Sequence, residues 1–237
     1  MNMNISEYII YEDKNIMIIN KSRGLLSERD GDVSHPSLDQ EVEKYLSNKQ
    51  PAMPVNRLDK DTSGLIIFAK TNIATTEMSK ILNEHKNVEK HYLTLVVGNI
   101  CESGVVEAPL RKSIERKKMI VAPIKSGAKT AITKYQVIEN YQNYTLLDVE
   151  LLTGRTHQIR AHMSYIRHHV VGDSKYGDYK INNEFKKNFG FENQFLHSYK
   201  LIFKEIKGVF SYLNNREFYV PLPLEMQDIL RKLNNLI

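Results

Sequence analysis

The chain has 237 residues, 41% of them apolar, which is enough for one large core or two small ones and argues against disorder. Lys and Arg number 33 against 28 Asp and Glu, a net charge of +5 that suits a polyanionic partner without requiring one. Cys101 is the single cysteine, which excludes an intramolecular disulfide and a cysteine-built zinc site.

The N-terminal text MNMNISEYIIYEDKNIMIINK breaks its apolar pairs with Glu12, Asp13 and Lys14. It never reaches the continuous run of a signal peptide or membrane span, so a soluble, cytoplasmic protein without membrane attachment is expected. Residues 7–13 and 15–21 read as two strands around an Asp-Lys-Asn turn, followed by a polar loop. Residues 37–48, with Ser37 as cap and Val42, Tyr45 and Leu46 on one face, read as a short helix. GLIIFAKT, 64–71, is a strand, and NIATTEMSKILNEH, 72–85, is an amphipathic helix carried by Ile73, Met78, Ile81 and Leu82. HYLTLVVGNI, 91–100, is a strand that Gly98 and Asn99 should end, and residues 103–123 read as a hairpin carrying a basic cluster.

Two more strands, 130–140 and 144–154, lead to a helix over 156–169 with Ile159, Met163 and Ile166 on its buried side. Residues 172–194 show no regular pattern. Strands at 195–206 and 208–215 and a helix at 223–236 complete the chain. Many strands joined by hairpins, with a few helices between, predict an α+β fold on a mixed, mostly antiparallel sheet with flanking helices. With no repeat or linker, one domain over 1–237 is the simplest organisation, its core at about 8–225.

NRLDKDTSG, 56–64, crowds two carboxylates, two cations, an amide and two hydroxyls into nine positions. In an extended segment Arg57 and Asp59 project to one side while Leu58 points inward, Lys60 faces away and Asp61 returns. Alone, the stretch reads first as a solvated turn, with Asp59 a cap for Thr62-Ser63-Gly64. A second polar cluster, LLTGRTHQIRAH at 151–162, offers Arg155, His157, Arg160 and His162. If residues 156–162 are helical, Thr156 and Arg160 share a face, and such an arginine could hold Asp59 ionised as a nucleophile or base. A purely structural ion pair is the competing account. No histidine spacing here matches a zinc helix pair, and GxxxxGK[ST], GxGxxG and GxSxG are all missing, so neither metal nor cofactor is expected.

These residues resemble the RluA family of RNA pseudouridine synthases. The family's His-Arg-Leu-Asp followed by Thr-Ser-Gly corresponds to NRLDKDTSG, its Lys-x-Tyr to KHY, and its Gly-Arg-Thr/Ser-His-Gln-Ile/Leu-Arg-x-His to GRTHQIRAH. GDSKYG, FLHSYKLIF and YEDKNIMIINKSRGLLS match further segments, so the likeness runs from residue 8 to about 225. It implies the pseudouridine synthase catalytic fold, with Asp59 as the catalytic aspartate, Tyr92 packing on the target base and Arg160 pairing with the aspartate. Arg57 would brace RNA from which the base has flipped, and Asp61 would be structural.

Two departures stand out. Asn56 replaces the usual histidine and cannot carry a proton at neutral pH, and Ser22-Arg23 replaces Pro-Ser or Pro-Ala. The resemblance further implies uridine isomerisation in structured RNA, of the large ribosomal subunit or transfer RNA, at a loop or flippable position. A small RNA-binding domain preceding the core in several members has no counterpart here, so the core itself should hold RNA. Arg111, Lys112, Arg116, Lys117 and Lys118 in RKSIERKK, together with Asn56, Arg155 and His157, are the candidate contacts. A non-catalytic RNA-binding or RNA-folding protein on the same fold, and more distantly a hydrolase using Asp59, are the alternatives. The sequence identifies no protein partner.

Overall fold

The computed structural model describes residues 4–32, 34–47 and 52–235. In chain order its strands and helices are β1 (Ile9–Glu12), β2 (Ile16–Lys21), α1 (Leu38–Tyr45), β3 (Met53–Pro54), β4 (Ser63–Ala69), α2 (Asn72–Glu84), β5 (Val88–Val97), β6 (Gly104–Glu107), β7 (Leu110–Ser113), β8 (Lys118–Val121), β9 (Ile132–Tyr141), β10 (Tyr144–Leu151), α3 (Gln158–Tyr165), α4 (Tyr179–Phe189), β11 (Leu196–Phe203), β12 (Glu217–Tyr219) and α5 (Leu224–Asn234). The last residues of the helices expected at 37–48 and 223–236 lie outside the described residues. The α+β class and the mostly antiparallel pairing agree with the sequence. No helix among the described residues is long and apolar enough to cross a membrane.

The chain divides into two compact units. The first, Met1–Glu89 with Ser198–Val220, carries β1, β2, β4 and most of β11 side by side, with β3 on β4 and β12 on β11. Asp13 starts this unit's first hairpin: its carboxylate accepts from the amides of Asn15 (2.7 Å) and Ile16 (2.8 Å), a local turn that brings β2 back against β1. β4 is buried along its whole length, which accounts for the unbroken apolar text GLIIFA where a half-exposed strand would alternate. α2 covers this core with Ala74, Met78 and Leu82, one face at four-residue spacing, and burial of a side chain the size of Met78 or Leu82 contributes about 1.5–3 kcal/mol. Ile73, expected on that face, is instead 73% exposed because it falls one position off the stripe.

The strand expected at 208–215 is a 3₁₀ turn over Gly208–Leu213. Phe210 and Leu213 are both buried, and their spacing of three suits a tight helix, whereas a strand would send them to opposite faces. Asn214 then bonds the amide and carbonyl of Ile206 (2.6 and 2.9 Å), and strand pairing resumes in β12.

The second unit, Lys90–His197 with Pro221–Ile237, builds an antiparallel array in the order β5, β10, β9, β6, and a separate β7–β8 ribbon. The single hairpin expected over 103–123 is thus divided: β6 joins β9, and only β7 and β8 face each other. Residues 172–194, expected to be irregular, also hold a helix. Asp178 caps α4 by accepting from Lys180 and Ile181 amides (2.8 and 3.2 Å), and Gly190 ends it in a left-handed conformation, φ +66°. Phe185, Phe191, Phe195, Met226 and Ile229 form the core that α4 and α5 cover.

Candidate active site

Asp59 lies outside regular strand structure, in the turn that precedes β4, so the extended geometry expected for 57–61 is replaced by a tight loop in which the Thr62 amide donates to the Asp59 carbonyl (3.0 Å). Both residues flanking Asp59 are clamped. Ser27 Oγ donates to the Leu58 carbonyl (2.8 Å) and accepts from the Leu58 amide (3.0 Å), while the Leu58 side chain is buried as anticipated. On the other side the Lys60 carbonyl accepts from the Gly24 amide (2.9 Å) and from Lys21 Nζ (2.9 Å).

Lys21 is fully buried at the end of β2, and its ammonium also donates to the carbonyls of Leu25 (2.7 Å) and Ser22 (3.0 Å). Burial draws its pKa down to about 7, against the opposing pull of the Asp61 and Asp59 carboxylates. Asp61 therefore acts as an electrostatic neighbour of this buried amine. Lys21, Gly24 and Ser27 were not singled out from sequence, although all three lie in the KSRGLLS text. Arg57 is exposed and forms an ion pair with Glu28 at 2.9 Å, a contact that water screens and a ligand can displace.

Asn56 has a definite structural role. Its Oδ1 accepts from the Ile67 amide (2.8 Å), next to the Val55 amide donating to the Ile67 carbonyl (2.9 Å), so the carboxamide continues the β3–β4 pairing by one bond.

In the second unit the GRTHQIRAH segment turns at His157, which is left-handed at φ +52°, and α3 begins only at Gln158. Thr156 and Arg155 are thus outside the helix, and the shared face expected for Thr156 with Arg160 does not form. Gln158 organises the turn: its Oε1 accepts from Thr153 Oγ1 (2.8 Å) and the Arg155 amide (3.0 Å), and its Nε2 donates to the Ile132 carbonyl (3.0 Å) and Thr133 Oγ1 (2.9 Å). His162 is buried between Thr133 Oγ1 and the Ala108 carbonyl, each at 2.8 Å, and burial lowers its pKa. A neutral ring with the proton on Nε2 satisfies both contacts, since only a donor can face the carbonyl. His162 is therefore a packing element, joined through Thr133 to the Gln158 network.

Arg160 is buried and held by Asp173 through two parallel bonds, Nε to Oδ2 at 2.6 Å and Nη2 to Oδ1 at 2.9 Å. Burial alone would raise the Asp173 pKa, but these bonds and the amides of Lys175 and Tyr176 (2.8 and 2.9 Å) bring it below the usual carboxylate value. The Arg160 guanidinium also lies 5.2 Å from the Tyr176 ring centroid. Tyr176 Oη accepts from the Met119 amide (2.8 Å) and is 3.0 Å from His157 Nδ1. Asp173 and Tyr176 of GDSKYG are thus the residues that fix Arg160 and orient His157. Tyr92 is buried on β5 opposite Val149 of β10.

A groove of about 940 Å³ opens in the same unit between the β7–β8 ribbon and the Gly154–His157 turn. Of the expected RNA contacts, Arg111, Lys112, Lys117, Lys118, Arg155 and His157 line it, whereas Arg116 and Asn56 do not. Among the described residues no group of His, Cys, Asp or Glu side chains is placed to hold a metal ion.

The mostly antiparallel α+β core, the clamped Asp59 loop and the braced Arg160 carry the motifs of the pseudouridine synthase class of RNA-modifying enzymes. Residues 15–165 match the family model described as RNA pseudouridylate synthase, and the chain belongs to that family. It is 34% identical over 239 residues to an uncharacterized RNA pseudouridine synthase of Mycoplasma genitalium, covering 98% of this chain and 71% of the relative. It is also 36% identical over 245 residues to Ribosomal large subunit pseudouridine synthase D of Vibrio parahaemolyticus, covering 94% and 70%. Among solved structures, the protein titled Human RNA Pseudouridylate Synthase Domain Containing 4 superposes with a TM-score of 0.76 at 23% identity, over 97% of this chain and 94% of that one, a likeness of fold. The family and the enzymatic class expected from the motifs, isomerisation of uridine in RNA, are thereby established.

Proposed function

We propose that this enzyme converts a uridine of large-subunit ribosomal RNA to pseudouridine, with transfer RNA as the second candidate substrate. The observation that carries the choice is the run of relatives named for the large ribosomal subunit, 33–36% identical over 94–97% of the chain in the Vibrio parahaemolyticus, Yersinia pestis and Buchnera aphidicola proteins. In the reaction the N1–C1′ bond of uridine breaks, the uracil turns while still held, C5 bonds to C1′ and loses its proton, and N1 gains one, so that product and substrate are isomers.

We assign Asp59 the reacting carboxylate, either as nucleophile or as the group that stabilises and deprotonates a glycal-like intermediate. Clamping of Leu58 and Lys60 supports this assignment, because a loop fixed on both sides of one carboxylate is what preorganised chemistry needs. Arg160 keeps the role implied by the family pattern, partner to the reacting carboxylate, and Tyr92 that of the ring against the uracil, its hydroxyl assisting proton removal from C5. Arg57, exposed and held only by Glu28, is suited to brace RNA from which the base has flipped, and a loop uridine costs least to extrude. Asn56 supports the site through β4. Arg111, Lys112, Arg116, Lys117 and Lys118, with Arg155 and His157, contact the RNA backbone, and no protein partner is needed for the chemistry. The sequence composition and an RNA substrate suit the cytoplasm.

A pseudouridine map of total RNA from cells with and without the gene tests the substrate. We expect one or a few large-subunit positions to vanish with the gene and to stay absent when Asp59→Asn is supplied in its place. Restoration by that variant would refute the role of Asp59.

A further inference from the structure

Arg57 reaches solvent two positions from Asp59, yet its guanidinium is already engaged. Its Nη1 donates to Glu28 Oε1 at 2.9 Å, with the two side chains 66% and 46% exposed. An ordinary surface pair of this kind contributes little, because ordering two long side chains in water offsets most of the attraction. This pair is built differently, since the residues on both sides of each partner are anchored. Beside Arg57, Leu58 is clamped through Ser27 Oγ and Asn56 through the Ile67 amide. Beside Glu28, Ser27 makes that same clamp, and Arg29 donates to Asp39 (2.8 Å) and Glu43 (2.6 Å) of α1. One position earlier, the Leu26 amide donates to the Pro36 carbonyl (3.2 Å) and the Leu26 carbonyl accepts from the Leu38 amide (2.8 Å). Two backbones pinned in this way hold Glu28 and Arg57 facing each other.

A carboxylate in that place opposes RNA. It occupies a guanidinium donor that a phosphate would otherwise take, and when Arg57 leaves, Glu28 must be hydrated again and gather a counterion. Every RNA that engages Arg57 is weakened by the same amount, so Glu28 adds no preference for one RNA over another. Its use lies in the reaction catalysed. Uridine and pseudouridine are isomers, so substrate and product RNA carry the same phosphates in nearly the same shape, and the contacts that recruit one retain the other. Uniform affinity of this sort lowers KM without raising kcat, and release of product can then limit turnover.

We propose that Glu28 is a positioning residue that acts through Arg57: it holds the guanidinium in the free enzyme, yields it to bound RNA, and recaptures it as the modified RNA leaves, so that product dissociates. The proposal rests on the reading that Arg57 braces RNA in a uridine isomerase, and affinity, release and turnover are therefore measured separately. Loss of an exposed ion pair corresponds to a change of about two- to fivefold, which sets the size of each effect.

The test uses the full chain and large-subunit ribosomal RNA transcribed without modification, before and after conversion by the wild-type enzyme. At about 50 mM salt, Glu28→Gln should bind both forms about two- to fivefold more tightly and release the converted RNA more slowly by the same factor. The gap should narrow toward about 200 mM as salt screens the pair. With enzyme in excess, the rate of a single conversion should match wild type, a split that a role in folding or in the chemical step would not give. In an Arg57→Ala background the same substitution should change nothing. Unchanged affinity or release in Glu28→Gln overturns the proposal. So does an equal gain in the Arg57→Ala background, which would mark general charge repulsion instead. Wild-type affinity in Arg57→Ala refutes the bracing role of Arg57 and the proposal with it, whereas weakened binding in Arg57→Ala beside an inert Glu28→Gln overturns the proposal alone. Wild-type protein that forms no pseudouridine in this RNA or in transfer RNA refutes the functional reading and the release role, and the affinity comparison still decides whether Glu28 holds Arg57.

Discussion

Gly64→Ala is the sharpest stability test of the loop that presents Asp59. Gly64, the second residue of β4, pairs opposite Lys21 and has φ +107°, a conformation that side chains rarely adopt. A Cβ built there would lie 2.1 Å from the Ser198 carbonyl oxygen and 2.7 Å from the Ser198 carbon and nitrogen, so it meets backbone that cannot swing aside. Backbone strain of about 1–3 kcal/mol adds to a comparable cost for forcing packed strands apart, roughly 2–6 kcal/mol in all. Gly24→Ala is the control: its φ is also positive, +81°, but nothing lies within 4 Å of the added carbon, and about 1–2 kcal/mol is expected. With a urea dependence of about 2 kcal/mol per molar, Gly64→Ala should unfold roughly 2 M earlier than wild type and Gly24→Ala less than 1 M earlier. Equal midpoints for the two variants would refute the claim that backbone contact with Ser198 fixes the position as glycine.

Two further substitutions probe the buried charges. Asp173→Ala removes both carboxylate bonds to Arg160 and the acceptor of two amides, and should cost about 3–5 kcal/mol by equilibrium unfolding together with most of the turnover. Because the folded Asp173 pKa is below its ordinary 3.8, the stability gap between wild type and variant should be complete above about pH 4 and should close as the pH falls through the folded value. Lys21 has the opposite dependence: its folded pKa, about 7, lies below the ordinary 10.5, so burial of the charged amine is penalised at neutral pH and below. Wild type should therefore gain stability relative to Lys21→Met as pH rises from about 7 toward 10.5, and a gap independent of pH would show that the amine is not desolvated.

Periodicity and turn chemistry in the sequence give most of the strands and the entry into β4, because those signals act over a few residues. The same local signals mark α4 through Asp178, Gly190 and the Ile181, Phe185, Phe189 spacing, yet the polar text KKN and the glycines around it obscure them. The 208–215 segment fails differently: Val, Phe, Tyr and Leu favour a strand locally, and burial of Phe210 with Leu213 in the core overrides that preference. The clamps on the Asp59 loop carry no local signal at all. Ser27 reaches Leu58 across 31 positions and Lys21 reaches Lys60 across 39, each ending on a backbone atom whose side chain has no bearing on the contact. Arg160 stands out in the sequence through the GRTHQIRAH motif, whereas Asp173, thirteen residues further on, is visible as its partner only in three dimensions.

That distinction between backbone and side-chain contacts also accounts for the two places where the chain leaves its family's pattern. At position 56 the structure uses one hydrogen-bond acceptor, Asn56 Oδ1 on the Ile67 amide, and a carboxamide supplies it as well as a neutral imidazole nitrogen would. No proton has to be carried there for β4 to be held, so loss of the titratable group leaves the Asp59 loop in place. At position 22 the contribution is the Ser22 carbonyl that accepts from Lys21 Nζ, an atom every residue type possesses, proline included. Both substitutions therefore preserve the support of the loop, while Lys21 and Asp173 anchor their neighbours through side-chain groups that no backbone atom can replace, as the roles proposed for Asp59, Tyr92 and Arg160 also require.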